Sequence, residues 1–255
     1  MALRGEAPIS LRAKALWAAA ALAVPQGDYA RMAELASEAI QLARRSDDPI
    51  DLRNALTVEG MVAMGEGRYR DSLRAFGEGL AICSPLGVTW QLATSHLNLG
   101  LALLHVGEPG RADATFQEAL HLYRQLGDDI FAARATNQGA QAALMRGDIE
   151  RAEQLARDAL AAFAEQDERQ GIADALETMA AIVAARSEIE RAAILRGAAA
   201  AIRETIAAQP APFERVIAAR FTEPLERGTS AEQWRASWEA GHALTREAAV
   251  EYALG

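Results

Sequence analysis

Lysine is almost missing from this chain. Lys14 is the single example in 255 residues, and Cys83 is the single cysteine. One thiol excludes an internal disulfide, and no spacing of Cys83 with the four histidines makes a zinc site. A reducing, cytoplasmic setting is the expectation. Aromatic residues are only 5%, while alanine and arginine, both strong helix formers, are abundant. Cationic excess is absent too: the net charge is −9 and the pI about 5.1, so the molecule repels phosphate backbones and nucleic-acid binding is not expected. There is no Gly-x4-Gly-Lys-Ser/Thr loop. The one apolar run, residues 15–24 after Arg4 and Lys14, loosely has the shape of a signal-peptide core. It is too short and alanine-rich to span a bilayer, and it falls in phase with a repeat.

That repeat is the strongest signal present. Gly27-Asp28-Tyr29 returns as Gly67-Arg68-Tyr69, Gly107-Glu108-Pro109 and Gly147-Asp148-Ile149, each 40 residues after the last. Ser187-Glu188-Ile189 is a fifth, degenerate copy. A fixed period of this size marks a stacked array of helix pairs, in which each repeat packs only on its neighbours.

Before each marker, apolar residues are spaced by four and three, as at Leu56, Gly60 and Ala63, which is one face of a helix. Seven before the marker stand Ala20, Gly60, Gly100, Ala140 and Ala180, all small, as a close helix crossing requires. Five past it come Met32, Ser72, Ala112, Ala152 and Ala192; twelve past, Ala39, Gly79, Ala119, Ala159 and Ala199. Thirteen past stand Ile40, Leu80, Leu120, Leu160 and Ala200, and nine past the knobs Phe76 and Phe116. A second helix therefore packs on the first. Acidic and proline-containing stretches between repeats, such as residues 45–49 and 125–129, have the composition of turns and helix N-termini.

Small residues on the first helix, Gly-x-Tyr at the turn, then small residues and an aromatic on the second resemble the tetratricopeptide repeat over residues 10–186. The resemblance implies an all-α fold: a right-handed superhelical solenoid of about five such helix pairs with a helical C-terminal cap. The expected division is an array over 1–208 (markers Gly27, Gly67, Gly107, Gly147, Ser187) and a cap over 209–255. Gln209-Pro210-Ala211-Pro212 breaks the chain between them. A capping box is expected at Ser230 to Gln233, followed by Trp234 and Trp238 on one helical face.

The tail, from Trp238-Glu239-Ala240-Gly241 to Glu247-Ala248-Ala249-Val250-Glu251-Tyr252-Ala253-Leu254, resembles the end of the repeat array in bacterial signalling ATPases of the STAND type and in LuxR-type or MalT-like transcriptional regulators. In those families a nucleotide-binding module precedes the repeats and a helix-turn-helix can follow. Neither is found here, so the chain reads as a fragment or a stand-alone relative.

No catalytic, cofactor or metal constellation emerges. His96, His105, His121 and His242 lack a carboxylate and nucleophile in any recognisable arrangement and read as structural or solvated. The acidic residues recur at turns, where the helix dipole favours them, and Cys83 has no basic neighbour to activate it. An enzyme is not expected.

Tetratricopeptide arrays line their concave surface with the first helix of each pair. Positions thirteen, ten, nine and six before the markers then bring together Asn98, Arg134, Asn137, Gln138 and Gln141 as a polar cluster. Met61, Leu97, Leu101 and Leu104 make an apolar strip beside it. Amides, one guanidinium and aliphatic surface suit an extended peptide. A merely solvated inner face is the plain alternative. The expected function is a non-catalytic module binding a protein or peptide segment, the regulatory region of a bacterial signalling or transcriptional regulator, with the segment either another polypeptide or the ATPase or DNA-binding domain of a parent chain. The other reading is a sensor whose groove takes a small effector.

Overall fold

The structure, a computed structural model, describes residues 8–23, 29–208 and 215–255. Gly27, Asp28 and the proline break over 209–212 lie outside the described residues. The regular elements among the described residues are thirteen α-helices and one short 3-10 turn. They fall into two compact units that divide after Val106. The expected boundary at 208/209 stands at the edge of the described residues.

The first unit holds α1 (Ile9–Ala23), α2 (Tyr29–Ala43), α3 (Pro49–Gly65), α4 (Tyr69–Cys83) and α5 (Thr89–His105), with a 3-10 turn at Ser84–Leu86. α1 packs on α2 and α3 on α4, while α2 on α3 and α4 on α5 join successive pairs. The second unit holds α6 (Pro109–Leu126), α7 (Asp129–Met145), α8 (Ile149–Glu165), α9 (Arg169–Ala185), α10 (Ile189–Thr205), α11 (Arg215–Arg227), α12 (Ala231–His242) and α13 (Arg246–Leu254). Here α7 packs on α8 and α9 on α10; α6 covers α7 and α8 covers α9.

The turn inside each described pair needs a left-handed residue. Gly67, Gly107 and Gly147 have φ of 73°, 85° and 82°, and Ser187 adopts 62° in the degenerate copy. A Cβ there costs roughly 1–2 kcal/mol, which is why glycine marks the period. The helices start on acidic caps: the side chains of Asp48, Asp128, Asp148 and Glu168 accept from the backbone N–H of Ile50, Phe131, Arg151 and Gly171. These four turn carboxylates are therefore caps, whereas Glu108 and Glu188 stand at the same position without a side-chain cap bond.

The small positions seven before and five and twelve past the markers are buried wherever the side chains are described. Gly60 shows the reason, since an added Cβ would lie 2.6 Å from Cδ1 and 2.7 Å from Cζ of Phe76. Positions thirteen past the marker pack less deeply than expected: Leu160 is buried, but Ile40, Leu80 and Leu120 are partly exposed. The deep knob lies sixteen past, at Ala43, Cys83, Tyr123 and Phe163. Sixteen and twelve are one turn apart and share a stripe, whereas thirteen is rotated about 100° from twelve.

The C-terminal segment covers the last pair. α12 packs on α10, α11 on α9, and α13 reaches back to α8, where the Arg157 guanidinium donates to the Leu254 carbonyl. The α10–α12 crossing is glycine to backbone: a Cβ on Gly197 would meet Trp238 and His242 main chain, and one on Gly241 would meet Ile194 main chain. Ser230 caps α12 by accepting from the Gln233 N–H at 3.2 Å.

Candidate functional site

Arg134, Asn137, Gln138 and Gln141 are spaced by three, one and three on α7, so they project from one face of it. Burial and hydrogen bonding separate them. Gln141 Nε2 donates to Thr178 Oγ1 of α9 at 3.1 Å, and Thr178 in turn donates to the Asp174 carbonyl at 3.0 Å. Arg134 pairs with Glu168 at 3.5 Å and lies over the Phe131 ring at 5.6 Å. Asn137 is 2% exposed. Asn137 Oδ1, Gln138 Oε1 and Arg134 Nε are all buried with no hydrogen-bond partner. Each such group costs about 1–3 kcal/mol. Three on one helix face are a concentration that packing alone does not call for.

Asn98, Met61, Leu97 and Leu101 belong to the first unit and do not form an open apolar strip there. Leu97, Leu104 and Asn98 are buried. Met61 and Leu101 pack against the core cluster of Met64, Phe76 and Ala102. Their aliphatic surface is spent largely on the fold.

The structure adds residues that the sequence reading did not collect. Carried on to the fifth marker, Ser187, the same register gives Asp174, Glu177 and Thr178 on α9. Arg203 of α10 occupies the knob position that is Tyr123 and Phe163 in earlier pairs, and it is buried. An arginine at an otherwise apolar repeat position was the available signal. It bonds Asp174 at 2.9 Å and Glu177 at 3.0 Å. Arg196 continues the network to Glu177 at 3.7 Å and Glu226 at 3.0 Å. Burial pushes the Asp174 carboxyl up, against the opposing pull of Arg203 and Arg134. Gln141, Glu177, Thr178, Arg196, Arg203 and Arg215 line much of a cavity of about 310 Å³ within the second unit.

Three of the histidines have side-chain partners in the structure. His105 stacks on Tyr69 at 4.8 Å, and burial lowers its pKa to about 4. His242 stacks on Trp238 at 4.8 Å and meets Glu204 at 3.0 Å. His121 bonds Gln125 at 3.0 Å. Cys83 is buried, with its Sγ 3.5 Å from Ser95 Oγ. Among the described residues no group of three His, Cys, Asp or Glu side chains stands close enough to hold a metal, and no helix is long and apolar enough to cross a membrane.

The tetratricopeptide repeat family model matches residues 91–165. No curated protein matches the chain. Among solved structures, BtubC from P. vanneervenii is similar with a TM-score of 0.62 at 20% identity, over 80% of this chain and 85% of that one. A Rap protein complexed with Competence and Sporulation Factor gives 0.69 at 16%, over 90% and 67%. A STAND signal-transduction ATPase with a tetratricopeptide repeat sensor, from Pyrococcus horikoshii, gives 0.62 at 14%, over 94% of this chain but 37% of that one. At these identities the likeness is one of fold. With the period of 40 and the left-handed turn inside each described pair, residues 91–165 are tetratricopeptide repeats and the chain has the helix-pair fold of a tetratricopeptide repeat array.

Proposed function

We propose that this chain is a non-catalytic protein-interaction module whose α7–α9 face takes an extended polypeptide segment. The tetratricopeptide fold is generally a scaffold for protein interaction. The observation that carries the reading is the set of partnerless buried atoms Asn137 Oδ1, Gln138 Oε1 and Arg134 Nε. These atoms are closed to solvent, so the reading requires the side chains over them to move aside; two acceptors and a donor then meet the alternating N–H and C=O groups of an extended backbone. On this reading the chain is the regulatory region of a bacterial signalling or transcriptional regulator in the cytoplasm, and the segment belongs either to a separate protein or to a flanking ATPase or DNA-binding domain. Peptides selected from a random display library on the wild-type chain test this. They should lose binding to Asn137→Leu/Gln138→Met, a pair matched in volume. Equal binding would remove α7 from the site.

The cavity favours a second reading, a small polar effector. Its volume of about 310 Å³ stands at the lower end of ligand pockets. Thermal shift against a panel of sugars, nucleotides and amino acids checks it: a stabilising ligand whose effect is lost in Thr178→Val supports the effector, and a blank panel counts against it.

A further inference from the structure

α11 ends at Arg227 and α12 begins at Ala231, and both helices touch α10. Between the three lies a trough of about 520 Å³, lined by Arg196 of α10, Glu226 and Arg227 of α11, and Trp234, Arg235 and Trp238 of α12. That is the size of a ligand pocket. Arg196 apart, none of these residues lines the cavity of about 310 Å³ or belongs to the α7 face. The indoles are firmly placed: Trp234 is buried, and Trp238 packs against the core of the second unit with its ring stacked on His242.

The charge around the trough is lopsided. Three guanidiniums meet one lining carboxylate, Glu226, which Arg196 holds at 3.0 Å. Arg196 also reaches Glu177 at 3.7 Å, so acids neutralise it from both sides. Arg227 and Arg235 are not neutralised. Among the described residues neither pairs with a carboxylate or lies over an aromatic ring, although Glu232 and Glu239 stand one turn to either side of Arg235. Elsewhere in the unit even Arg146, with 44% of its side chain exposed, finds an acid partner. Arg227 Nε donates to the Glu223 carbonyl at 3.3 Å, which leaves the outer N–H groups of its fork for another acceptor. Two uncompensated cations beside fixed indoles, in a chain of net charge −9, make a local positive field that an anion offsets.

We propose that this trough binds a small aromatic anion, a planar ring carrying a carboxylate or a phosphate. The oxyanion takes the forks of Arg227 and Arg235, whose paired N–H groups match either group. The ring lies against the indole surface of Trp234 and Trp238. A bare ring leaves the guanidiniums uncompensated, and a bare anion leaves the indole wall wet, so the site selects a ligand with both.

The probes are 1-naphthyl phosphate and 1-naphthoate, with 1-naphthol as the ring alone and inorganic phosphate as the anion alone. Isothermal titration calorimetry on the full chain should find one site for at least one of the first two, the tighter of them naming the oxyanion. The ring alone and the anion alone should bind at least about tenfold more weakly. Arg227→Gln and Arg235→Gln should each weaken the better probe about tenfold with circular dichroism unchanged. Arg124→Gln, which removes an exposed arginine of α6 outside the trough, should leave its affinity as it was. Equal binding of 1-naphthol overturns the proposal, as does affinity kept in both trough variants. So does the absence of binding by either aromatic anion up to about 1 mM.

Discussion

Arg203 stands where an aromatic knob stands in two earlier pairs, so removing its charge probes the second unit at its most unusual point. In Arg203→Met the Asp174 carboxyl loses its 2.9 Å partner and Glu177 its 3.0 Å partner. Breaking a buried pair from one side costs about 3–5 kcal/mol. The Asp174 side chain keeps 26% exposure, which admits water and trims the expected cost to about 2–4 kcal/mol. Replacing both partners, as Asp174→Leu/Arg203→Met, removes the stranded charge and should restore most of the loss. Acid should also rescue the single variant. Burial raises the folded carboxyl above the ordinary 3.8, and the variant lacks the arginine that opposed it. The folded state then binds the proton first, so stability rises as pH falls toward that ordinary value. Urea unfolding at pH 7 and pH 4.5, followed by the fluorescence of Trp234 in the same unit and by far-UV circular dichroism, reads both effects. A single variant within about 0.5 kcal/mol of wild type would contradict the buried pair. So would a double variant no better than the single.

Gly197→Ala should detach α12 from α10, because the new Cβ would lie 2.9 Å from the His242 nitrogen; Trp238 emission should shift to the red while the helix content of α7–α9 is kept. Gly60→Leu should cost about 1–3 kcal/mol by overpacking against Phe76, and a neutral result would mean the helix register is wrong. Ala207→Gly should stabilise by about 1 kcal/mol in thermal unfolding, since Ala207 holds φ 50°. His105 predicts acid sensitivity: its folded pKa of about 4 lies below the ordinary 6.5, so the unfolded state takes the proton first. Stability therefore falls as pH drops from 6.5 toward 4, by up to about 3 kcal/mol at about 1.4 kcal/mol per unit, and His105→Phe should flatten that slope.

The helix pairs were legible because one steric fact, a left-handed turn residue, recurs every 40 positions at Gly67, Gly107 and Gly147. It fixed the small crossing positions correctly down to Gly60 and Ala180. The deep knob was not legible as a class, since Ala43, Cys83, Tyr123, Phe163 and Arg203 share a location but no chemistry. Their burial follows from a stripe shared with position twelve, which appears once helices are stacked. The α7 face came directly from the register, but Asp174, Glu177 and Thr178 were reached only when that register was carried to a marker with serine in place of glycine. Met61 and Leu97 were placed on the groove by spacing, yet packing takes most of their surface, because adjacent positions on an Ala-rich helix are drawn in close. The orphaned oxygens of Asn137 and Gln138 are a property of three-dimensional neighbours, and sequence spacing holds no record of them.

The most direct measurement pairs stability with binding in one variant, Asn137→Leu/Gln138→Met. If these amides are kept for a bound backbone, urea unfolding should show stability equal to wild type or higher, since two partnerless acceptors are gone. Affinity for a display-selected peptide should fall about tenfold or more. Retained affinity, or affinity lost only together with stability, would contradict the α7 face as the site of recognition.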